Sequence, residues 1–214
     1  NMNKITFLLD IAIMRINFIL TKIFHRKILF VGKCCCRNLH ISEVDGTTGN
    51  RVELGQHVVL RNCRVRFEGN NHTLCFGNGV KLENVSFFFE KDDSDICIGD
   101  GTWIGPECEL SAFDHTKIEI GKGSIFAKQC MIRTSDSHII KNNDGEVINQ
   151  PKNITIGSHV WLGQQTFVLK GAHIPDGCIV GARSTVTASL HAEHNAIIVG
   201  QPAKIIKNDI QWEL

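Results

Sequence analysis

The chain has 214 residues, 43% of them hydrophobic, which is enough for one substantial domain with a short appendage. Its 23 Lys and Arg residues almost balance its 22 Asp and Glu residues, so the overall charge gives no reason to expect a nucleic acid partner. Any anion-binding site must therefore be local.

Residues 1–30 differ in character from the rest and predict an N-terminal α-helical segment. Apolar runs such as Ile16 to Leu20 are interrupted by Asp10, Arg15 and Lys22, which argues against a membrane span. No small-residue cleavage site follows, as a secretory signal would require. Two roles stay open. In the first role, which we favour, the helix packs against the other subunits of an oligomer. In the second, it lies on the inner face of a membrane with its basic residues at the lipid headgroups.

The nine cysteines are informative about the redox state of the protein's compartment, and they do not indicate a metal site. Several fall on positions that the repeat described below points inward, where a reduced thiol acts as a small hydrophobic side chain. That pattern favours a reducing cytoplasm. The consecutive residues Cys34, Cys35 and Cys36 lack the spacing that lets two thiolates face one ion, so we expect no metal.

A six-residue repeat dominates the second half of the chain. Aliphatic residues recur at every sixth position, and small or modest residues follow most of them four positions later. The aliphatic series is Ile156, Leu162, Val168, Ile174, Val180 and Val186, and the small series is Val160, Thr166, Ala172, Cys178 and Ser184. This pattern indicates short strands joined by tight turns around an apolar interior.

Upstream, the same hexads occur in pairs that begin 22 residues apart, as at Leu54, Phe76, Ile98 and Ile120. One corner of these coils therefore carries extra residues. The periodicity predicts an all-β parallel β-helix of about six coils from near residue 50 to residue 199. We assign residues 31–207 to this domain and residues 208–214 to a C-terminal tail, although residues 31–50 fit the repeat poorly.

The rhythm stops at Ile132 and resumes at Ile156, which leaves an excursion over residues 133–155. Long interruptions of a regular fold are typical of binding or catalytic loops. The hexads resemble those of the hexapeptide acyltransferase superfamily. The segment Asp136-Ser137-His138 and the residues after it resemble the loop of sugar O-acetyltransferases, including galactoside acetyltransferases and polysialic acid and capsule O-acetyltransferases.

This resemblance implies a left-handed β-helix, a homotrimer with active sites between neighbouring prisms, and an acetyl-coenzyme A donor. It also implies that His138 is the general base that takes the proton of the acceptor hydroxyl, a role for which imidazole is suited because it titrates near neutral pH. Asp136 and Glu146 are candidates to orient the His138 ring.

Donor-site residues follow from the same resemblance. Trp161 matches a residue close to the thioester, although packing in a trimer would also explain an outward tryptophan. Lys204 and Lys207 match basic residues that meet coenzyme A phosphates, whereas Ala188 stands where relatives often carry Lys. The residues implied along the pantetheine arm are Gly163, Gln164, Ala182 and Thr187.

Other chemistries fit less well. The γ-class carbonic anhydrases share such a fold, but this chain lacks their zinc-binding histidine spacing. No activated nucleophile is evident, since Ser137 and His138 point apart on an extended chain and Cys130 lies inward. The sequence therefore predicts direct acetyl transfer to a carbohydrate hydroxyl of a cell-surface polysaccharide or its precursor. N-acylation of an amino sugar and a non-catalytic structural β-helix are the alternatives.

Overall fold

The computed structural model describes residues 28–30 and 33–213. In this part of the chain the regular elements are β-strands, which wind in successive coils around an apolar interior. In chain order the first strands are β1 (Ile28–Phe30), β2 (Cys35–Arg37), β3 (His40–Glu43), β4 (Arg51–Leu54), β5 (Val59–Arg61), β6 (Arg64–Phe67), β7 (Thr73–Phe76), β8 (Lys81–Glu83), β9 (Ser86–Glu90), β10 (Asp95–Ile98), β11 (Trp103–Ile104) and β12 (Glu109–Phe113). The later strands are β13 (Lys117–Ile120), β14 (Ile125–Phe126), β15 (Met131–Arg133), β16 (Ile154–Ile156), β17 (Trp161–Leu162), β18 (Phe167–Leu169), β19 (His173–Ile174), β20 (Ile179–Val180), β21 (Thr185–Val186), β22 (Ile197–Gly200) and β23 (Ala203–Lys207).

The strands form three sheets that are the sides of a triangular prism. Sheet A has the order β1-β4-β7-β10-β13-β16-β19, sheet B the order β2-β5-β8-β11-β14-β17-β20-β22-β23, and sheet C the order β3-β6-β9-β12-β15-β18-β21. Every neighbouring pair is parallel except β22 and β23, which are antiparallel. The chain passes from A to B to C in each coil, so the prism has an A–B, a B–C and a C–A corner.

The hexads predicted from the sequence are confirmed. The whole aliphatic series from Ile156 to Val186 is buried, and so is the small series from Val160 to Ser184. The upstream pairs stack in register, with Leu54 beside Phe76, Phe76 beside Ile98, and Ile98 beside Ile120. Alternate residues on a strand point to opposite faces, so one face of each strand lies in the core and the other lies outside.

Two boundaries differ from the sequence-based expectation. Residues 28–30 were predicted to end a helix but form strand β1, because their backbone pairs with β4 in the register Ile28 to Val52. Residues 31–50 contain β2 of sheet B and β3 of sheet C, which with β1 of sheet A form a first coil, so the solenoid starts earlier than predicted. The remainder of the predicted helix, and with it the predicted membrane contact, lies outside the described residues. Within residues 28–30 and 33–213 there is no helix with the length and apolar character that a membrane span requires.

Cysteines occupy both faces of the strands. Six are buried in the interior as the repeat predicts, namely Cys34, Cys36, Cys63, Cys108, Cys130 and Cys178. Cys75 and Cys97 instead lie on the outer face of sheet A and form a disulfide, contrary to the expectation of reduced thiols. They are partners in register on adjacent strands with Cα atoms 4.7 Å apart, a separation that allows the bond.

Candidate active site

The excursion leaves the prism at the C–A corner, between β15 and β16. Its two ends are tied together, since the Lys152 N–H donates a 2.9 Å hydrogen bond to the Thr134 carbonyl. The Thr134 side chain is buried, and its Oγ1 accepts a 2.9 Å hydrogen bond from the Phe113 N–H. The base of the excursion is therefore fixed to the core while the segment between stands outside the prism.

The tip of the excursion is a small hairpin closed by an isolated bridge between Lys141 and Val147. Asn142 Oδ1 accepts hydrogen bonds from the N–H groups of Asp144 and Glu146, at 3.0 and 2.9 Å. Asn142 Nδ2 also donates to Glu146 Oε2 at 3.0 Å. Glu146, a candidate for orienting the His138 ring, is thus engaged in stabilising this hairpin.

His138 is exposed near the start of the excursion, and its backbone is held by one side chain. Asn149 Nδ2 donates to the His138 carbonyl at 2.7 Å and to Asp136 Oδ2 at 2.9 Å, while Asn149 Oδ1 accepts from the Ile140 N–H at 2.7 Å. Among the described residues, no hydrogen bond engages the imidazole ring of His138. The ring is therefore available to a substrate, although the backbone that carries it is fixed.

Asp136, the other orienting candidate, is paired with Lys170 on the next coil. Lys170 Nζ also donates to the Asn149 carbonyl at 3.0 Å. The hydrogen bonds from Lys170 and Asn149 hold the pKa of the Asp136 carboxyl below its usual value. In this chain Asp136 therefore anchors the loop that carries His138 rather than contacting the ring. The Arg133 guanidinium lies close by, with Nη2 donating to Ser137 Oγ at 3.1 Å. Its buried Nε has no hydrogen-bond partner in the part of the chain that the structure describes.

A hollow of about 160 Å³ opens on the surface beside His138. Its lining includes Lys91, Phe113, Asp114, Ser135, Asn149 and Pro151. The Lys91 Nζ lies 5.1 Å from the centre of the Phe113 ring and 3.5 Å from Asp114 Oδ2. An aromatic ring, a cation and carboxylate oxygens thus line a space next to the candidate base.

Trp161 lies far from this hollow in the fold. It is an outward residue of β17 in sheet B, between Ile125 and Ile179 on the neighbouring strands, and is 43% exposed. In a three-sided prism, sheet B is the face opposite the C–A corner from which His138 projects. One chain therefore does not bring its two predicted catalytic residues together.

The predicted donor residues also fall into separate groups. Gln164 and Ala182 lie at the B–C corner, where the Gln164 carbonyl accepts a 2.8 Å hydrogen bond from the Arg183 N–H. Thr187 lies at the C–A corner, with its Oγ1 2.8 Å from Ser189 Oγ. Lys204 and Lys207 are exposed on β23, at the end of sheet B.

The structure gives Gly163 a packing role. A Cβ atom there would lie 2.5 Å from the Ala182 nitrogen, so the stacking of coils excludes a side chain. A hollow of about 480 Å³ lies beside this corner, and its lining includes Gln129, Met131, Gln165, Phe167, Arg183 and Gln201.

Sequence reasoning missed Asn149, Lys170 and Trp212. Lys170 lies 34 residues after Asp136, and only the stacking of β18 on β15 brings the two together. Trp212, in the C-terminal tail, lies 6.1 Å from Trp161 between ring centres. No three His, Cys, Asp or Glu side chains gather into a metal-binding group within the described part of the chain.

No family model matches the chain. The structure of the polysialic acid O-acetyltransferase OatWY is 30% identical with a TM-score of 0.73, and the alignment covers 87% of this chain and 91% of that one. The polySia-specific acetyltransferase NeuO is 26% identical with a TM-score of 0.62, covering 83% and 89%.

Curated relatives match over shorter segments. Galactoside O-acetyltransferase of Escherichia coli (strain K12) is 34% identical over 70 residues, which are 33% of this chain and 32% of that protein. The chain spans only between 22% and 32% of the lengths of the curated relatives that it matches.

Proposed function

The chain belongs to the O-acetyltransferase branch of the hexapeptide-repeat acyltransferase superfamily, whose fold is a left-handed β-helix, and we propose that it transfers acetyl from acetyl-coenzyme A to a carbohydrate hydroxyl. The acceptor class is a cell-surface polysaccharide or its precursor, in line with the substrates named for the relatives. One observation carries the proposal: His138 presents a ring without hydrogen bonds in the described chain, on a loop that Asn149 anchors beside an open hollow.

His138 acts as a general base in this reaction. An alcohol is a weak nucleophile at neutral pH, and a positioned imidazole can accept its proton as the oxygen attacks the thioester carbonyl. A C–O bond forms and the C–S bond breaks. The proton taken up by His138 passes to the departing sulfur, so the products are an ester and the coenzyme A thiol. Backbone N–H groups at a coil corner stabilise the oxyanion.

The active site is composite in this proposal. Since His138 projects from the C–A corner and Trp161 lies on the opposite face, we assign each site to two copies in a homotrimer. Sheet B of one copy supplies Trp161 and the outward residues Ile125 and Ile179 beside it. The excursion of its neighbour supplies His138 and an exposed apolar side chain, Ile139, to cover that face.

The donor lies along the same interface. Gln164 and Ala182 come from the copy that supplies Trp161, and Thr187, which shares the C–A corner with His138, comes from the neighbour. Lys204 and Lys207 are exposed at the end of sheet B, where compact cations suit the coenzyme A phosphates.

Mixing two inactive variants tests the composite site. His138→Ala and Trp161→Ala are each expected to form trimers with little turnover. Co-expressed at equal levels they should recover about a quarter of the wild-type sites, because every mixed ring of three holds one interface with both residues intact. Trimers of confirmed mixed composition without recovered activity would contradict the composite site.

Coenzyme A release by the wild type tests the reaction itself. We expect release with neutral or acidic sugars that offer hydroxyl groups. Release only with amino sugars would indicate N-acylation, and no release with any sugar would contradict the proposed function.

A further inference from the structure

The C-terminal tail folds back along the prism. After β23, residues 208–213 run along the A–B corner, opposite to the direction in which the coils advance. Ile210 is buried, and its N–H donates a 3.0 Å hydrogen bond to the Asn195 carbonyl at the corner of the last coil. Trp212 then reaches His159, which lies at the same corner two coils earlier. The tail thereby connects the end of the chain to the coil that carries Trp161.

Trp212 and His159 are joined by three contacts. Their rings are stacked with centres 3.8 Å apart and planes 4° from parallel. The Trp212 indole N–H donates to the His159 carbonyl at 3.1 Å, and the His159 Nε2 lies 3.0 Å from the Trp212 carbonyl oxygen. A carbonyl oxygen can only accept, so His159 carries its proton on Nε2. Two reciprocal hydrogen bonds and a stack fix the position of the Trp212 ring.

The backbone at His159 is in the left-handed region, with φ of 54°. At the equivalent corner position, four other coils have glycine, namely Gly79, Gly101, Gly123 and Gly177, and two have His57 and Asn195, which also have positive φ. Glycine adopts positive φ without steric cost, whereas a histidine there is unfavourable. The coil that carries Trp161 thus has a less favourable residue than glycine at this corner, and the side chain of that residue holds the tail.

We propose that Trp212 is a positioning residue that holds Trp161 in one orientation and closes the acyl end of the donor groove, so that the enzyme accepts short acyl groups. This inference rests on the proposed function, in which Trp161 lies beside the thioester. The Trp161 and Trp212 ring centres are 6.1 Å apart with planes at 47°, so Trp212 forms a wall on one side of the exposed Trp161 ring. The stack and the two hydrogen bonds with His159 hold the Trp212 ring in that position.

Acyl-chain preference tests the inference. We compare kcat and KM for acetyl- and butyryl-coenzyme A in the wild type, Trp212→Ala and Trp212→Phe, with Glu213→Ala as an exposed control in the same tail. Trp212→Ala should raise the butyryl-to-acetyl ratio of kcat/KM by about tenfold or more, the range for added methylenes in an apolar pocket. Trp212→Phe should give a smaller rise and Glu213→Ala none. His159→Ala should act in the same direction and add little to Trp212→Ala, because the two residues work as one unit.

A second readout does not depend on turnover. In protein labelled with 5-fluorotryptophan, Trp103, Trp161 and Trp212 each give a ¹⁹F signal. The Trp161 signal should shift in Trp212→Phe and stay in place in Glu213→Ala. An unchanged acyl ratio in an active Trp212→Ala protein, or an unmoved Trp161 signal in Trp212→Phe, would overturn the inference. A wild type inactive with both donors would instead overturn the proposed function, and the Trp161 signal would still decide whether Trp212 positions that residue.

Discussion

The Asn149 side-chain amide donates a 2.7 Å hydrogen bond to the backbone carbonyl of His138, so the closing end of the excursion holds the candidate base near its start. The same amide group reaches Asp136, which is paired with Lys170 on the next coil. The position of His138 therefore depends on a network that links the loop to the prism.

Replacing Asn149 tests this anchor. Asn149→Ala should lower kcat by about 10- to 100-fold, because a base displaced by about 1 Å loses rate on that scale. The KM for acetyl-coenzyme A should change little, since Asn149 makes no proposed donor contact. Steady-state kinetics provide the measurement, with Asn143→Ala, a change at an exposed asparagine of the same excursion, as the control. Equal activity in the two variants would contradict the anchoring role.

Lys170→Met should loosen the same loop from the other side. The Asp136 carboxylate is 45% exposed, and ion pairs at the protein surface contribute about 1 kcal/mol or less to global stability, so Tm should hardly move while kcat falls. Without Lys170 the pKa of the Asp136 carboxyl should rise towards its usual value, which a ¹³C NMR titration would detect. Lys152→Met, a change at an exposed lysine near the end of the excursion, should leave both kcat and this pKa unaltered. A Lys170→Met protein with the wild-type kcat and the wild-type pKa of Asp136 would contradict the proposed network.

Lys204 and Lys207 are expected to bind donor phosphates. Changing both to Ala should weaken acetyl-coenzyme A about tenfold or more, because each charge-assisted hydrogen bond contributes about 1.5 to 3 kcal/mol. The double variant should also discriminate less between coenzyme A and its 3′-dephospho form. Calorimetry measures both affinities, and Lys33→Ala, at the far end of the prism, serves as the control. Unchanged donor affinity in the double variant would remove these lysines from the donor site.

His72 predicts a pH-dependent stability. It is buried, its Nε2 donates to the Lys91 carbonyl at 2.8 Å, and its Nδ1 accepts from the Ser94 N–H at 3.2 Å. Burial lowers the pKa of His72 below its ordinary value. The folded protein therefore binds fewer protons than the unfolded chain, and the stability present above the unfolded pKa of about 6.5 is lost as the pH falls through the folded pKa.

The slope of Tm against pH, at fixed protein concentration, measures this effect. His72→Gln should lower Tm near pH 7.5 and flatten the slope below about pH 6.5, where the unfolded histidine gains its proton. His115→Gln changes an exposed histidine and should keep the wild-type slope. If His72→Gln also keeps the wild-type slope of Tm against pH, His72 does not cause this pH dependence.

The sequence predicted the coils well because their rule is local. Leu54, Phe76 and Ile98 recur at a fixed interval, and each interior position needs only a side chain of suitable size and polarity. The first coil was harder to recognise because the cysteines Cys34 and Cys36 occupy inward positions where later coils show aliphatic residues.

The site was less predictable, because its contacts join segments that are distant in sequence. The break in the hexads indicated His138, and the structure places that residue on an exposed, anchored loop. Nothing near Asp136 in sequence points to Lys170, and nothing near Trp161 points to Trp212. Both pairs arise when separate parts of the chain meet at the prism surface, which a repeat pattern does not describe.

The turnover of His138→Ala tests the central claim most directly. Its kcat should fall by about 10²- to 10⁴-fold, the usual contribution of a positioned general base, while trimer mass, Tm and donor affinity stay near wild type because the side chain is exposed. In the wild type, log kcat/KM should rise with pH through one ionisation and level off, and the variant should lose that ionisation. His40→Ala, an exposed histidine in the first coil, should behave as wild type. A folded His138→Ala trimer that keeps more than about a tenth of wild-type kcat would contradict His138 as the general base.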